Sequence, residues 1–186
     1  MKSPNHFAIT DDVQQAAARL VGRRLPWLIV GLLGGLTASF MVSRFQYLLE
    51  AKLQLAFFIP VIVYLSDAVG TQTETIYIRN LSIFKDNFYK YLAKELLVGS
   101  YLGAILGLLI GAAAFFWLKS IETAITVGVA TLVNVTIAPA VAIIIPEILF
   151  KEHVDPALGG GPFTTVVQDF ISLLIYFSVA SLIVFS

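Results

Sequence analysis

The chain contains no cysteine, which excludes disulfides and thiolate metal sites. Its histidines are as sparse: His153 has no second histidine near it in sequence, so a transition-metal pair is not indicated. Charge is also in short supply. Asp, Glu, Lys and Arg make up 13% of the 186 residues, where a soluble domain carries about 25%. The twelve bases and twelve acids cancel, and no basic run suggests nucleic acid. Met1 to Leu25 is polar and mixed in charge, with no apolar run until Pro26, so it does not read as a cleaved signal peptide. What the chain has is apolar mass: 58% hydrophobic residues and a mean hydropathy of +0.87. Soluble proteins hold about 45–50%. The chain is an integral membrane protein.

A bilayer core takes about 20 apolar residues per helix, and five such segments follow one another. They run from about Pro26 to Tyr47, Ala51 to Ile78, Tyr91 to Leu118, Thr123 to Phe150 and Pro162 to Phe185. Pro26 is placed at a first helical turn, where its missing N–H costs nothing. The boundary between the first two segments is weak, with only Arg44, Glu50 and Lys52 to mark a short turn. Gly99, Gly103, Gly107 and Gly111 recur every fourth residue in the third segment and predict a smooth packing seam. Pro139 and Pro146 interrupt the fourth, each freeing a carbonyl that could line a cation path or shape a kink. Before the first span, Asp11 to Leu20 reads as a short amphipathic helix capped by Thr10, with Val13, Ala17 and Leu20 on one face.

The expected fold is therefore all-α and membrane-embedded: residues 1–25 as a cytoplasmic amphipathic segment, and residues 26–186 as a five-helix transmembrane domain. Lysine and arginine set the orientation. With the N-terminus inside, Lys2, Arg19, Arg23, Arg24, Arg79, Lys85, Lys90, Lys94 and Lys151 fall on the cytoplasmic side. Only Arg44, Lys52 and Lys119 fall outside. Five spans then place the C-terminus outside, in the plasma membrane.

The candidate chemistry lies in carboxylates within apolar runs. An Asp at the centre of a membrane helix costs roughly 2.5–3.5 kcal/mol on insertion scales, so each one is a functional-site hypothesis. Asp169 is the deepest, followed at once by Phe170-Ile171 and Leu173-Leu174-Ile175. Thr165, Asp169, Ser172 and Tyr176 recur at helical spacing and predict one polar strip. Asp67, Thr71 and Glu74 share a face of the second segment, inside a run, Ser66 to Thr73, too polar to face lipid. Asp67 is the deeper; Glu74, close to Arg79, suits a solvated mouth as well as a ligand role. Glu95 beside Lys94 marks the cytoplasmic end of the third segment, and Glu147 beside Lys151 that of the fourth. Several carboxylates with few bases among them attract cations, and hard cations such as Mg²⁺ take oxygen ligands while keeping several waters.

In series, Arg24-Leu25-Pro26-Trp27-Leu28, Phe57-Phe58-Ile59-Pro60, Gly70-Thr71-Gln72 with Ile78-Arg79, Lys94-Glu95, Asp155-Pro156-Ala157-Leu158 and Gly161-Pro162-Phe163 through Asp169 resemble the membrane domain of MgtE-type magnesium transporters. The resemblance covers about Arg24 to Ser186. It implies a homodimer of five-helix subunits with the cation path along the dimer axis, Asp169 from each subunit at a central site, and Asp155 toward the cytoplasmic mouth. Metal-facing residues are thus expected at Asp169, Asp155, Asp67 and Glu74, with Mg²⁺, or Mn²⁺ or Co²⁺, as the transported ion. Uptake is expected to be passive, since no ATP motif is present. A proton- or Na⁺-coupled carrier is the alternative, because Asp67, Glu74 and Asp169 could form a proton relay. Neither Asp67 nor Asp169 sits in a catalytic motif, so no enzyme is expected. Partners are membrane lipid and a second copy. With 25 residues before the first span, the family's N-terminal and CBS regulatory domains are not expected within this sequence, which leaves room for a separate cytoplasmic regulatory subunit. Two departures bear on ion preference: the family's Asn- and Gly-rich stretch reads here Ser66 to Glu74, short of Asn and richer in acid, and Gly161 replaces the usual Asn.

Overall fold

The computed structural model describes residues 15–81, 87–153 and 156–185. The described residues form six α-helices: α1 (Ala17–Ser43), α2 (Gln46–Ala51), α3 (Ile59–Leu81), α4 (Phe88–Leu118), α5 (Ile121–Lys151) and α6 (Pro156–Val184). A 3₁₀ turn, Leu53–Phe58, joins α2 to α3. Five of these stretches are long and apolar enough to cross a membrane. The all-helical, five-span expectation holds.

Local chemistry sets the helix ends. Asn87 caps α4, its side chain accepting from the N–H groups of Tyr89 and Lys90, and Ser120 caps α5 by accepting from Thr123 N–H. Between them Lys119 takes the left-handed conformation (φ 54°) that closes α4, which lets two spans turn in as few as two residues. Glu122 in the first turn of α5 and Lys151 in its last suit the helix dipole.

α5 is the hub. It packs on α4, α6 and α3, whereas α1 rests against α6. Of the most apolar stretch of α5, 56% is buried within the subunit; for α1 the figure is 6%. α1 therefore presents Leu25, Leu28, Leu32, Leu36 and Phe40 outward, where lipid or another subunit must cover them.

Three expectations change. Pro26 lies inside α1 rather than at its first turn. It frees the Gly22 carbonyl near the membrane edge, where water can satisfy it. Asp11 to Gln14 lie outside the described residues, and from Ala17 onward the amphipathic stretch is the opening of α1 rather than a separate helix. The weak boundary near Arg44 holds α2 and the 3₁₀ turn, pinned by Phe45 stacking on Phe177 at 4.4 Å and by Tyr176, whose hydroxyl donates to Leu55 O at 2.6 Å.

The glycine stripe of α4 meets α5 of the same subunit. A Cβ on Gly103 would sit 2.6 Å from Leu132 O, and one on Gly107 2.6 Å from Gly128 O. No side chain fits there. Pro139 and Pro146 do not interrupt α5. The carbonyl that Pro139 frees, Val135 O, would lie 2.9 Å from a Cβ on Gly99; it faces the seam, so it serves packing and not a cation path.

Candidate cation site

The carboxylates collect between α3 and α6, which run side by side in opposite directions. Midway along, Asp67 on α3 and Asp169 on α6 are both half-buried. Thr165 donates to Asp67 Oδ1 at 3.3 Å. Asp67 and Asp169 are neighbours across the two helices, each next in sequence to a residue of the hydrogen-bonded pair Ser66 and Gln168. Asp169 has no hydrogen-bond partner among the described residues, which leaves its oxygens unspent.

Glu74 lies two turns further along α3 and is buried, 7% exposed. Of the two alternatives for Glu74, a solvated mouth and a ligand role, burial disfavours the first. Thr164 donates to its Oε1 at 3.2 Å, and Gly160 provides the space, since a Cβ there would fall 2.7 Å from that same oxygen. The start of α6 thus roofs Glu74. Thr71, expected on the same face, is exposed together with Gln72 and Thr75. A row of exposed polar groups in mid-span does not suit lipid; it suits water or a second protein surface.

The predicted strip on α6 divides. Thr165 and Asp169 remain half-open, while Ser172 and Tyr176 are fully buried in the subunit. The face is shared, but its neighbours change along the helix: towards the end that carries Tyr176, α5 and the 3₁₀ turn close over it. Ser172 and Tyr176 are packing residues, as Tyr176 shows by bonding to Leu55 O.

At the end of the bundle that carries Arg79, Lys94 and Lys151, two bonds tie α3 to its neighbours and an ion pair within α5 adjoins them. Glu95 accepts from Thr73 at 3.1 Å, Glu147 accepts from Tyr77 at 2.8 Å, and Glu147 pairs with Lys151 at 3.0 Å. Glu147 and Lys151 are the expected partners; Thr73 and Tyr77 were not foreseen. Asp155 lies outside the described residues. No group of three or more His, Cys, Asp or Glu side chains is placed to hold a metal ion among the described residues. One subunit offers oxygens in a row, not a closed cage.

Gln168 escaped the sequence reading, and Ser66 entered it only as the start of a polar run. Gln168 donates through Nε2 to Ser66 Oγ at 2.5 Å, and both residues are buried. Asn134 of α5, also buried, donates to Ser172 O at 3.2 Å. Their one sequence signal is an amide in an otherwise apolar span, and a neutral amide stands out far less than a carboxylate.

The pattern that defines MgtE, described as a divalent cation transporter, matches residues 59–179, from the start of α3 to near the end of α6. The chain belongs to the MgtE family. Proteins named magnesium transporter MgtE are similar to it: that of Enterococcus faecalis is 31% identical over 175 residues, covering 92% of this chain and 39% of the relative. That of Bacillus subtilis is 34% identical, covering 88% and 37%, and that of Thermus thermophilus 34% identical, covering 86% and 36%. The chain spans less than two fifths of the length of these MgtE relatives. The matched region holds every described carboxylate of the α3–α6 row, Asp67, Glu74 and Asp169, and the family is one of membrane transporters rather than enzymes.

Proposed function

We propose that this chain forms a passive, channel-like path for divalent cations, Mg²⁺ foremost, at the interface of a homodimer. The observation that carries the reading is the pair Asp67 and Asp169: two half-buried carboxylates on neighbouring helices at mid-span, the second with no hydrogen-bond partner among the described residues. A single subunit cannot enclose an ion with them. Two copies would bring one Asp169 from each side of an axis, so that two negative charges match one divalent ion. The exposed polar row Thr71, Gln72 and Thr75 would then line water rather than lipid. Asp155 belongs to the same path by resemblance, at its cytoplasmic mouth. The relatives' name, magnesium transporter, supports Mg²⁺ as the first ion to consider.

The driving force is sufficient without coupling. One charge crossing 100 mV gains about 2.3 kcal/mol, so a divalent cation entering a negative interior gains about 4.6 kcal/mol. Arg79, Lys90, Lys94 and Lys151 share one end of the bundle, which supports a cytoplasmic N-terminus and an outward C-terminus by the positive-inside rule.

Flux of Mg²⁺ into liposomes, with no proton or Na⁺ gradient imposed, tests the reading. The parent should conduct, and Asp169→Asn should fold normally yet lose roughly tenfold or more, the scale expected when a desolvated charge pairing is removed. Parent-like flux from Asp169→Asn would refute the central site. A requirement for a proton or Na⁺ gradient would favour the coupled carrier.

A further inference from the structure

Two neighbouring pairs span the same helices. Ser66 precedes Asp67 on α3, and Gln168 precedes Asp169 on α6. The inner pair is buried and hydrogen-bonded; the outer pair is half-open and charged. We propose that the Ser66–Gln168 bond is a spacer that fixes the gap between Asp67 and Asp169, and so sets the preference of the path for Mg²⁺ over the larger Ca²⁺. This rests on the ion-path reading above.

The Gln168 amide packs over Gly70, its oxygen 3.5 Å from the point a Cβ there would occupy, an ordinary contact distance. One turn further along α6, Asn134 holds Ser172 O from α5. α6 is therefore fixed to α3 and to α5 on either side of Asp169, while Asp169 itself is left unbonded.

Stability does not account for this arrangement. Asn134 Oδ1, Gln168 Oε1 and Ser172 Oγ are buried and meet no hydrogen-bond partner among the described residues. Each is an acceptor withdrawn from water without full compensation. A leucine or methionine at position 168 would fill the space with no such cost. What a bonded glutamine adds is a fixed distance between two backbones, one residue away from two carboxylates.

Distance matters to these ions in different degrees. Mg²⁺ demands near-octahedral geometry and keeps its waters, whereas Ca²⁺ accepts irregular, larger shells, so selectivity depends on the size and rigidity of the site. A loosened gap should therefore admit Ca²⁺ more readily and leave Mg²⁺ slightly worse served. Ser66 and Gln168 touch no ion in this scheme. They are positioning residues.

Ser66→Ala and Gln168→Met, reconstituted in liposomes, test the spacer by the ratio of Ca²⁺ to Mg²⁺ flux in the same preparation. Both variants should raise that ratio roughly fivefold, the scale set by one net hydrogen bond. The double variant should go no further than either single one, because the two remove the same bond. If Gln168→Met fails to fold, Ser66→Ala, which deletes a single oxygen, decides alone. A fall in both fluxes together at constant ratio would show a merely structural bond and overturn the inference. Asp169→Asn in parallel separates the two levels. If it blocks flux while the ratio stays constant in the spacer variants, the spacer alone fails; if it conducts like the parent, the ion path fails and takes the spacer with it.

Discussion

Two seams of the bundle, α4 against α5 and α3 against α6, are built from opposite materials. Against α4 the joint is glycine and backbone: Gly99, Gly103, Gly107 and Gly111 lie so near the carbonyls of α5 that a Cβ would come within 2.6–3.1 Å of them. Around α3 and α6 the joint is hydroxyls, amides and carboxylates, several with capacity left over. In a membrane, where apolar burial gives helices little reason to associate, close packing drives assembly, and interhelical hydrogen bonds average only about 0.6 kcal/mol. The glycine seam thus holds the bundle. The polar seam is weak glue at that magnitude, and its buried carboxylates carry a burden that assembly alone does not explain. One joint holds the fold; the other, on the function proposed above, handles ions.

The division breaks most visibly at Gly107. Gly107→Leu should prevent α4 from seating on Gly128 and leave little folded protein, since overpacking costs typically 1–3 kcal/mol for a few methylenes and more where backbone is the obstacle. Size-exclusion and thermal melting of purified protein would check this; a monodisperse variant with unchanged melting would mean that the seam is not what holds the spans together. Asp169→Asn should show the reverse signature, unchanged melting with flux down roughly tenfold or more. Any variant that moved both readouts equally would blur the distinction between the seams.

A smaller effect is expected from Asp67→Asn combined with Glu74→Gln. Both substitutions keep an oxygen for Thr165 and Thr164 to donate to, so the fold should persist. Conductance should fall severalfold near 0.01 M ionic strength, where the Debye length is about 30 Å, and much less at 1 M, where it is about 3 Å. The physical cause is the focusing of cations by charge in a low-dielectric cleft. Loss of conductance that is independent of salt would assign the two acids to direct contact with the ion.

Much of the fold was legible because length and apolarity define spans almost on their own. Five segments, their order and the glycine seam follow from composition and spacing. The carboxylates were legible for the same reason: Asp67 and Asp169 stand out against hydrocarbon. What spacing on one helix could not show is which helix lies opposite. For Glu74 the nearness of Arg79 in sequence left a solvated mouth and a ligand role equally open, and the cover that α6 gives it through Thr164 and Gly160 was not visible in spacing. Ser172 and Tyr176 shared a face with Asp169, yet lie at a depth where other elements close over them. Ser66, Asn134 and Gln168 carry no charge, and neutral polar groups in spans acquire meaning only once their partners are known. Pro26 and Pro139 show a related limit, since a proline is tolerated within a helix wherever water or a close glycine can meet the carbonyl it frees.

The account stands on Asp169 facing a hydrated divalent ion shared by two copies of the chain. A crystal of the full chain in lipid, grown with Mn²⁺ and measured at the manganese edge, tests that most directly. A peak on a two-fold axis between two Asp169 side chains, about 4–5 Å from their oxygens as expected when a bound water lies between ion and carboxylate, is the predicted result. Two subunits whose Asp169 side chains face away from each other, or strong manganese density elsewhere in the membrane with none at Asp169, would contradict it.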